Sequence, residues 1–155
     1  MLDPTFAILN QSGIGHGALI TSPSFAVTPN GFAAVYMAYG NQVESEVYDV
    51  TGKALGHQTL SPAGTPITAT SQTALVWSGK QLLAVYPGAV DGQYVVQVLD
   101  ASGVPTSKAV PLPNCLATAH GISAAWGGNQ LAVATINEAS GVMASAVCMT
   151  LLGCQ

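Results

Sequence analysis

The sequence predicts an all-β protein built from antiparallel sheets, and three observations predict it. Its apolar stretches are short, rich in Val, Ala, Thr, Tyr and Leu, and bounded every 8–12 residues by Gly, Pro, Asn or Asp. Helix-period patterning is nearly absent. A unit of about fifty residues recurs. Val27–Tyr36, Trp77–Tyr86 and Trp126–Ala134 each give an apolar strand end, a tight turn bearing Gly and a second strand. A third strand follows each: Val43–Val50, Tyr94–Leu99 and Met143–Thr150. A period of this size marks a supersecondary unit that cannot bury both its faces alone and stacks on copies of itself.

Taken in order, residues 5–23 read as the end of a third strand (Thr5 to Gly13) and an outer strand (His16 to Pro23). Units then occupy 24–69, 70–118 and 119–155 within one domain spanning 1–155. In the second strand of a unit, Gln81–Tyr86 and Gln130–Ala134 are continuously apolar, as expected of strands covered on both faces. The third strands 43–50 and 93–99 alternate, as half-buried strands do. Two of them close on near-identical turns, Asp49-Val-Thr-Gly52 and Asp100-Ala-Ser-Gly103, and the third ends at Thr-Leu-Leu-Gly153. Asp at the first turn position accepts hydrogen bonds from amides two residues on, and Gly at the fourth supplies a positive φ. The following segments, Lys53 to Pro62 and Val104 to Pro113, carry proline. Proline cannot donate to a ladder, so they belong at the sheet edge.

Composition narrows the function. The chain has 155 residues and a net charge of −4, and only 6% of its residues are charged, against about a quarter in ordinary domains. Apolar residues reach 49%, so disorder is excluded, and no uninterrupted apolar run approaches the ~20 residues of a membrane helix. The charge deficit implies that both faces of the sheets are covered, within the fold or by neighbouring subunits. There is no arginine, and Lys53, Lys80 and Lys108 are scattered through turn regions. Nucleic acid and anionic lipid, which need clustered cations, are therefore poor partners. Residues 1–20 lack the basic segment of a secretory signal. Low charge with abundant Thr, Ser, Gly and Asn nonetheless reads as an extracellular or virion-surface composition.

Units of this length with Trp-x-Gly, a Leu-x-Val-x-Tyr strand and a third strand ending Leu-Asp-Ala-Ser-Gly103 resemble the β-propeller blades of bacterial secreted and surface proteins. The resemblance covers about residues 24–153 and implies four-stranded antiparallel blades around an axis. Propellers have about four to eight blades. Three units therefore imply self-association, a fragment or another all-β fold, the chief alternative being a β-sandwich.

Candidate chemistry is sparse. His16, His57 and His120 are flanked by glycine or alanine, share no metal-ligand spacing and are expected in solvent-facing loops. No Gly-x-Ser-x-Gly elbow occurs. Glu44 and Glu46 share one strand face and are expected to be solvated, discouraging edge-to-edge aggregation. No calcium-type loop surrounds Asp49 or Asp100, and Asp91 is a further carboxylate that could join a pair. Trp77 and Trp126 hold equivalent positions at the ends of first strands. They would stack on sugars in a lectin-like protein, or pack between adjacent sheets. Cys148 and Cys154 flank a stretch that could turn as a hairpin, so a bridge between them is sterically open, with Cys115 left free or intermolecular. Buried thiols are the alternative. These readings lead to a non-enzymatic structural or adhesive module without cofactor or metal, forming a homo-oligomer or binding other protein subunits. A carbohydrate-binding module using Trp77 or Trp126 is the alternative, and a glycan-acting hydrolase comes third.

Overall fold

The computed structural model describes residues 21–38, 41–61, 71–90, 93–113, 119–138 and 145–153. Among these the chain is all-β, with three separate antiparallel sheets and no helix. The first sheet has the order β1 (Thr21–Thr28), β2 (Gly31–Ala38), β3 (Gln42–Asp49), β4 (Ala54–Thr59). The second follows as β5 (Ala74–Trp77), β6 (Leu82–Pro87), β7 (Tyr94–Leu99), β8 (Val110–Pro111). The third is β9 (Ala119–Trp126), β10 (Gln130–Glu138), β11 (Ser145–Gly153). Each strand pairs with the next in sequence, so every sheet is a simple meander.

The turns explain the meander. Asp49 Oδ1 accepts from the Thr51 amide at 2.8 Å, the Thr51 hydroxyl at 2.6 Å and the Lys53 amide at 3.1 Å. Asp100 Oδ1 accepts from the Ser102 amide at 2.8 Å, its hydroxyl at 2.6 Å and the Val104 amide at 3.0 Å. Gly52 and Gly103 take φ of 83° and 80°, the left-handed region the turn requires. The β5–β6 and β9–β10 turns also match, with Ser78 N–H donating to the Gln81 carbonyl and Gly127 N–H to that of Gln130, both at 2.9 Å.

Sheets stack through unlike faces. Alternation along the strands gives each sheet a front and a back. The back of the first sheet (Ala26, Ala33, Val35, Met37, Val43, Val47) packs on the front of the second (Leu75, Leu82, Ala84, Tyr86, Val95, Leu99) in one core. The back of the second (Ala74, Val76, Leu83, Val85, Val96, Val98) packs on the front of the third (Ile122, Ala124, Trp126, Leu131, Val133) in another. Strand β6 lies between the two cores and is buried along its whole length, as its unbroken apolar run predicts. Burying Leu82 and Leu99 fully contributes roughly 1.5–3 kcal/mol each.

First strands line one another across the stack, β5 lying beside both β1 and β9. Polar groups fix that alignment. Leu75 N–H donates to Ser24 Oγ at 2.9 Å, Thr73 Oγ1 donates to the Ser22 carbonyl at 2.6 Å, and Ile122 N–H donates to Gln72 Oε1 at 3.1 Å. The outer edges are ragged where proline occurs. β8 is two residues long, preceded by a lone bridge between Leu99 and Pro105.

Three expectations need correction. Thr21 to Pro23 belong to β1, with a register shift between Thr21 and Ser24, and not to an outer strand. Residues 149–153, expected to turn as a hairpin, continue strand β11 against β10. That removes the geometric ground for a Cys148–Cys154 bridge. Cys148 lies on β11 opposite Thr135, while Cys115 and Cys154 fall outside the described residues. Third, His57 and His120 lie in strands, β4 and β9, and not in loops. His120 is itself the extra residue at a register shift beside Gly121, whereas His57 pairs regularly with Glu46 and the extra residue of β4 is Leu55, on the other side of Gly56. The glycine that suggested a loop marks a bulge.

Candidate functional site

Among the described residues, the front of the first sheet is the one front face with no sheet packed on it. Its composition follows from register. Phe25 stands opposite Ala34, Val27 opposite Phe32, Phe32 opposite Tyr48, Tyr36 opposite Glu44 and Ala34 opposite Glu46, so all these side chains share the face. His57 joins them from β4, opposite Glu46.

One half of the face is an exposed apolar surface. Phe25, Val27 and Phe32 are 52%, 68% and 43% exposed. The register gives them counterparts in the second sheet, Leu75, Trp77 and Leu82. There Leu75 and Leu82 are 6% and 0% exposed, because the first sheet covers them.

The other half is polar and buried. Tyr36 Oη donates to Glu46 Oε2 at 3.3 Å, and His57 Nε2 meets Glu44 Oε2 at 3.0 Å. Glu46 is buried, and the side chains of Glu44 and His57 are 14% and 33% exposed. The solvated carboxylate face expected from sequence is therefore incorrect. The Tyr36 phenol and the His57 imidazole supply the donors that let carboxylates enter a sheet face. The Tyr48 hydroxyl is buried beside Glu46 and makes no well-aligned hydrogen bond among the described residues. Burial, then the negative charge of Glu46, raises the Tyr36 phenol far above its ordinary value. Burial and Glu46 likewise raise Tyr48. Burial alone pushes Tyr86 up to about 12, on the second sheet's front face.

This constellation ties β4 to β3 through the His57–Glu44 pair. Among the described residues, no three His, Cys, Asp or Glu side chains converge as a metal-holding group. The chain matches no protein-family model and no curated protein.

The remaining candidates are dispersed. Trp77 and Trp126 end β5 and β9, where each is half-buried, Trp77 against the first inter-sheet core and Trp126 against the second. They lie in different inter-sheet cores and form no joint site. Asp49 and Asp100 are held by their own turns, which lower both carboxyls. The Thr51 hydroxyl is the main cause for Asp49 and the Ser102 hydroxyl for Asp100. His16 and Asp91 lie outside the described residues. Sequence reasoning missed Tyr36 and Tyr48, yet counting outward from Gly40, between β2 and β3, would have aligned Tyr36 with Glu44.

Proposed function

We propose that this chain is a non-enzymatic structural or adhesive module, made of β-propeller-like blades, that works by self-association. The single observation that carries the reading is the exposure of Phe25, Val27 and Phe32 on a sheet face whose second-sheet counterpart is core. Contiguous exposed apolar surface of this kind marks an interaction site. Three blades are too few for a propeller ring of the usual size, and a dimer would bring six. The charge content of 6% fits a protein that covers most of its sheet faces with neighbours, and its composition suits an extracellular or virion surface.

Light scattering on the full chain at micromolar concentration tests the proposal. The expected result is a mass that is a multiple of the 15.7 kDa chain. A stable monomer overturns it.

A further inference from the structure

We propose that copies of this chain join head to tail, the back of the third sheet of one copy seating on the front of the first sheet of the next. The inference rests on the self-association reading above and specifies the two surfaces involved.

Within the chain, both sheet-to-sheet contacts pair a back face with a front face. The two terminal faces of the stack carry the same residue types as the first of those contacts. On the front side, Phe25, Val27, Phe32, Ala34 and Tyr36 occupy the register positions of Leu75, Trp77, Leu82, Ala84 and Tyr86. On the back side, Ser123, Ala125, Ala132, Ala134 and Leu151 occupy those of Ser24, Ala26, Ala33, Val35 and Val47. Three of these five back positions are identical, the Ser and the two Ala.

In the first sheet that back surface is buried against the second. In the third sheet Ser123 and Ala125 are exposed, and Leu151 is 54% exposed. Ala34 and Tyr36 are already buried within the chain, so placing the back of the third sheet on the exposed Phe25, Val27 and Phe32 recreates, between copies, the turn-side part of a contact the chain already makes within itself. Small Ser and Ala side chains on the back leave room for the bulky Phe25, Val27 and Phe32, as Ser24, Ala26 and Ala33 do for Leu75, Trp77 and Leu82. The corresponding hydrogen bond follows as well. Ser24 Oγ accepts from the Leu75 amide at 2.9 Å, and Ser123 stands where it would accept from the Phe25 amide of the next copy. Front-to-front pairing has no precedent in the molecule and would set bulky side chains against bulky ones.

Blocking each face separately tests the pairing. Val27→Glu puts a charge on the front and Ala125→Glu puts one on the back, where burial would strip its water. Both sites are exposed, so the fold tolerates the change, and circular dichroism checks it. Should either variant misfold, Val27→Lys and Ser123→Glu replace the pair. Each blocked variant alone is expected to have the mass of one chain. Mixed at high concentration, the two are expected to give a 1:1 species of two chains, because each contributes the face that the other lacks.

If Val27→Glu is monomeric while Ala125→Glu keeps the wild-type mass, the fronts pair with each other and the proposal fails. It also fails if both variants keep the wild-type mass, or if the mixture stays monomeric. A wild-type chain that is itself monomeric removes the self-association reading and this inference with it.

Discussion

Tyr86 Oη donates to Gln97 Oε1 at 2.6 Å on the register positions that Tyr36 and Glu46 occupy in the first sheet. The Tyr86–Gln97 pair lies on the face covered by another sheet, where a neutral amide satisfies the phenol without burying charge. Gln97 Nε2 then donates to the Ser107 carbonyl at 2.9 Å, so the amide is used at both ends. On the same face of the first sheet a carboxylate stands in place of the amide, and it too is buried, so there the phenol is paired with a charge-bearing group.

Removing the Tyr86 phenol is informative at two pH values. Tyr86→Phe leaves the Gln97 carbonyl without its short donor and is expected to cost about 1–2 kcal/mol at neutral pH. Burial holds the Tyr86 proton up to about 12, whereas the unfolded chain releases it near 10. Unfolding is therefore favoured as pH rises above about 10, and the stability conferred by the neutral phenol is fully present only below that value. Urea melts at pH 7 to 11 should show a shallower alkaline loss in Tyr86→Phe than in wild type. Parallel curves would refute the assignment.

The Asp turns predict behaviour in acid. Hydrogen bonds from Thr51 and Ser102, and from the following amides, hold both carboxyls below the ordinary Asp value. Stability from these groups is present above the unfolded value near 4 and is lost as pH falls through the lower folded one. Asp100→Asn should flatten the acid limb of a stability–pH curve measured from pH 2 to 6, and Asp49→Asn should do the same. An unchanged acid limb in both variants would show that the turns do not couple folding to protons.

Two glycines with similar backbones should respond differently to alanine. At Gly103, φ is +80° and a Cβ would meet Val47 Cγ2 at 3.0 Å. At Gly79, φ is +90° and nothing lies within 4 Å. Gly79→Ala should cost about 1 kcal/mol, from left-handed strain alone. Gly103→Ala adds crowding at the first inter-sheet core and should cost about 1–3 kcal/mol more. Equal losses in denaturant melts would contradict this.

A hydroxyl between sheets provides the fourth test. Thr73 is buried, and its Oγ1 donates to the Ser22 carbonyl at 2.6 Å, with the Val35 carbonyl at 3.1 Å. Thr73→Val keeps the shape and removes the donor, and is expected to destabilise the chain by about 1–3 kcal/mol. Leu82→Ala, in the core just beyond, should cost about 2–5 kcal/mol. If Thr73→Val melts like wild type, the alignment of β1 with β5 does not depend on this group.

What could be read from sequence was what is local. The Asp49 and Asp100 turns were predictable because their hydrogen bonds close within five residues. The burial of β6 was predictable because an unbroken apolar run has few other uses. The Glu44–Glu46 face was misread because alternation says which residues share a face but not what covers it. The partners that make its burial tolerable come from two other strands, Tyr36 on β2 and His57 on β4. His57 and His120 were misplaced because glycine serves a loop and a bulge equally well. Only the pairing register decides between them.

The meander order also bears on how the chain reaches this state. Every ladder joins neighbouring strands, so backbone pairing closes short loops, the least costly kind. Low sequence separation between contacting residues goes with fast folding, even in β proteins. The Asp49 and Asp100 turns can set the hairpin direction before any inter-sheet core exists, because their bonds need no distant residue. A chain emerging from the ribosome would then complete its first sheet early. Its back face would stay wet only for the time it takes to synthesise the second.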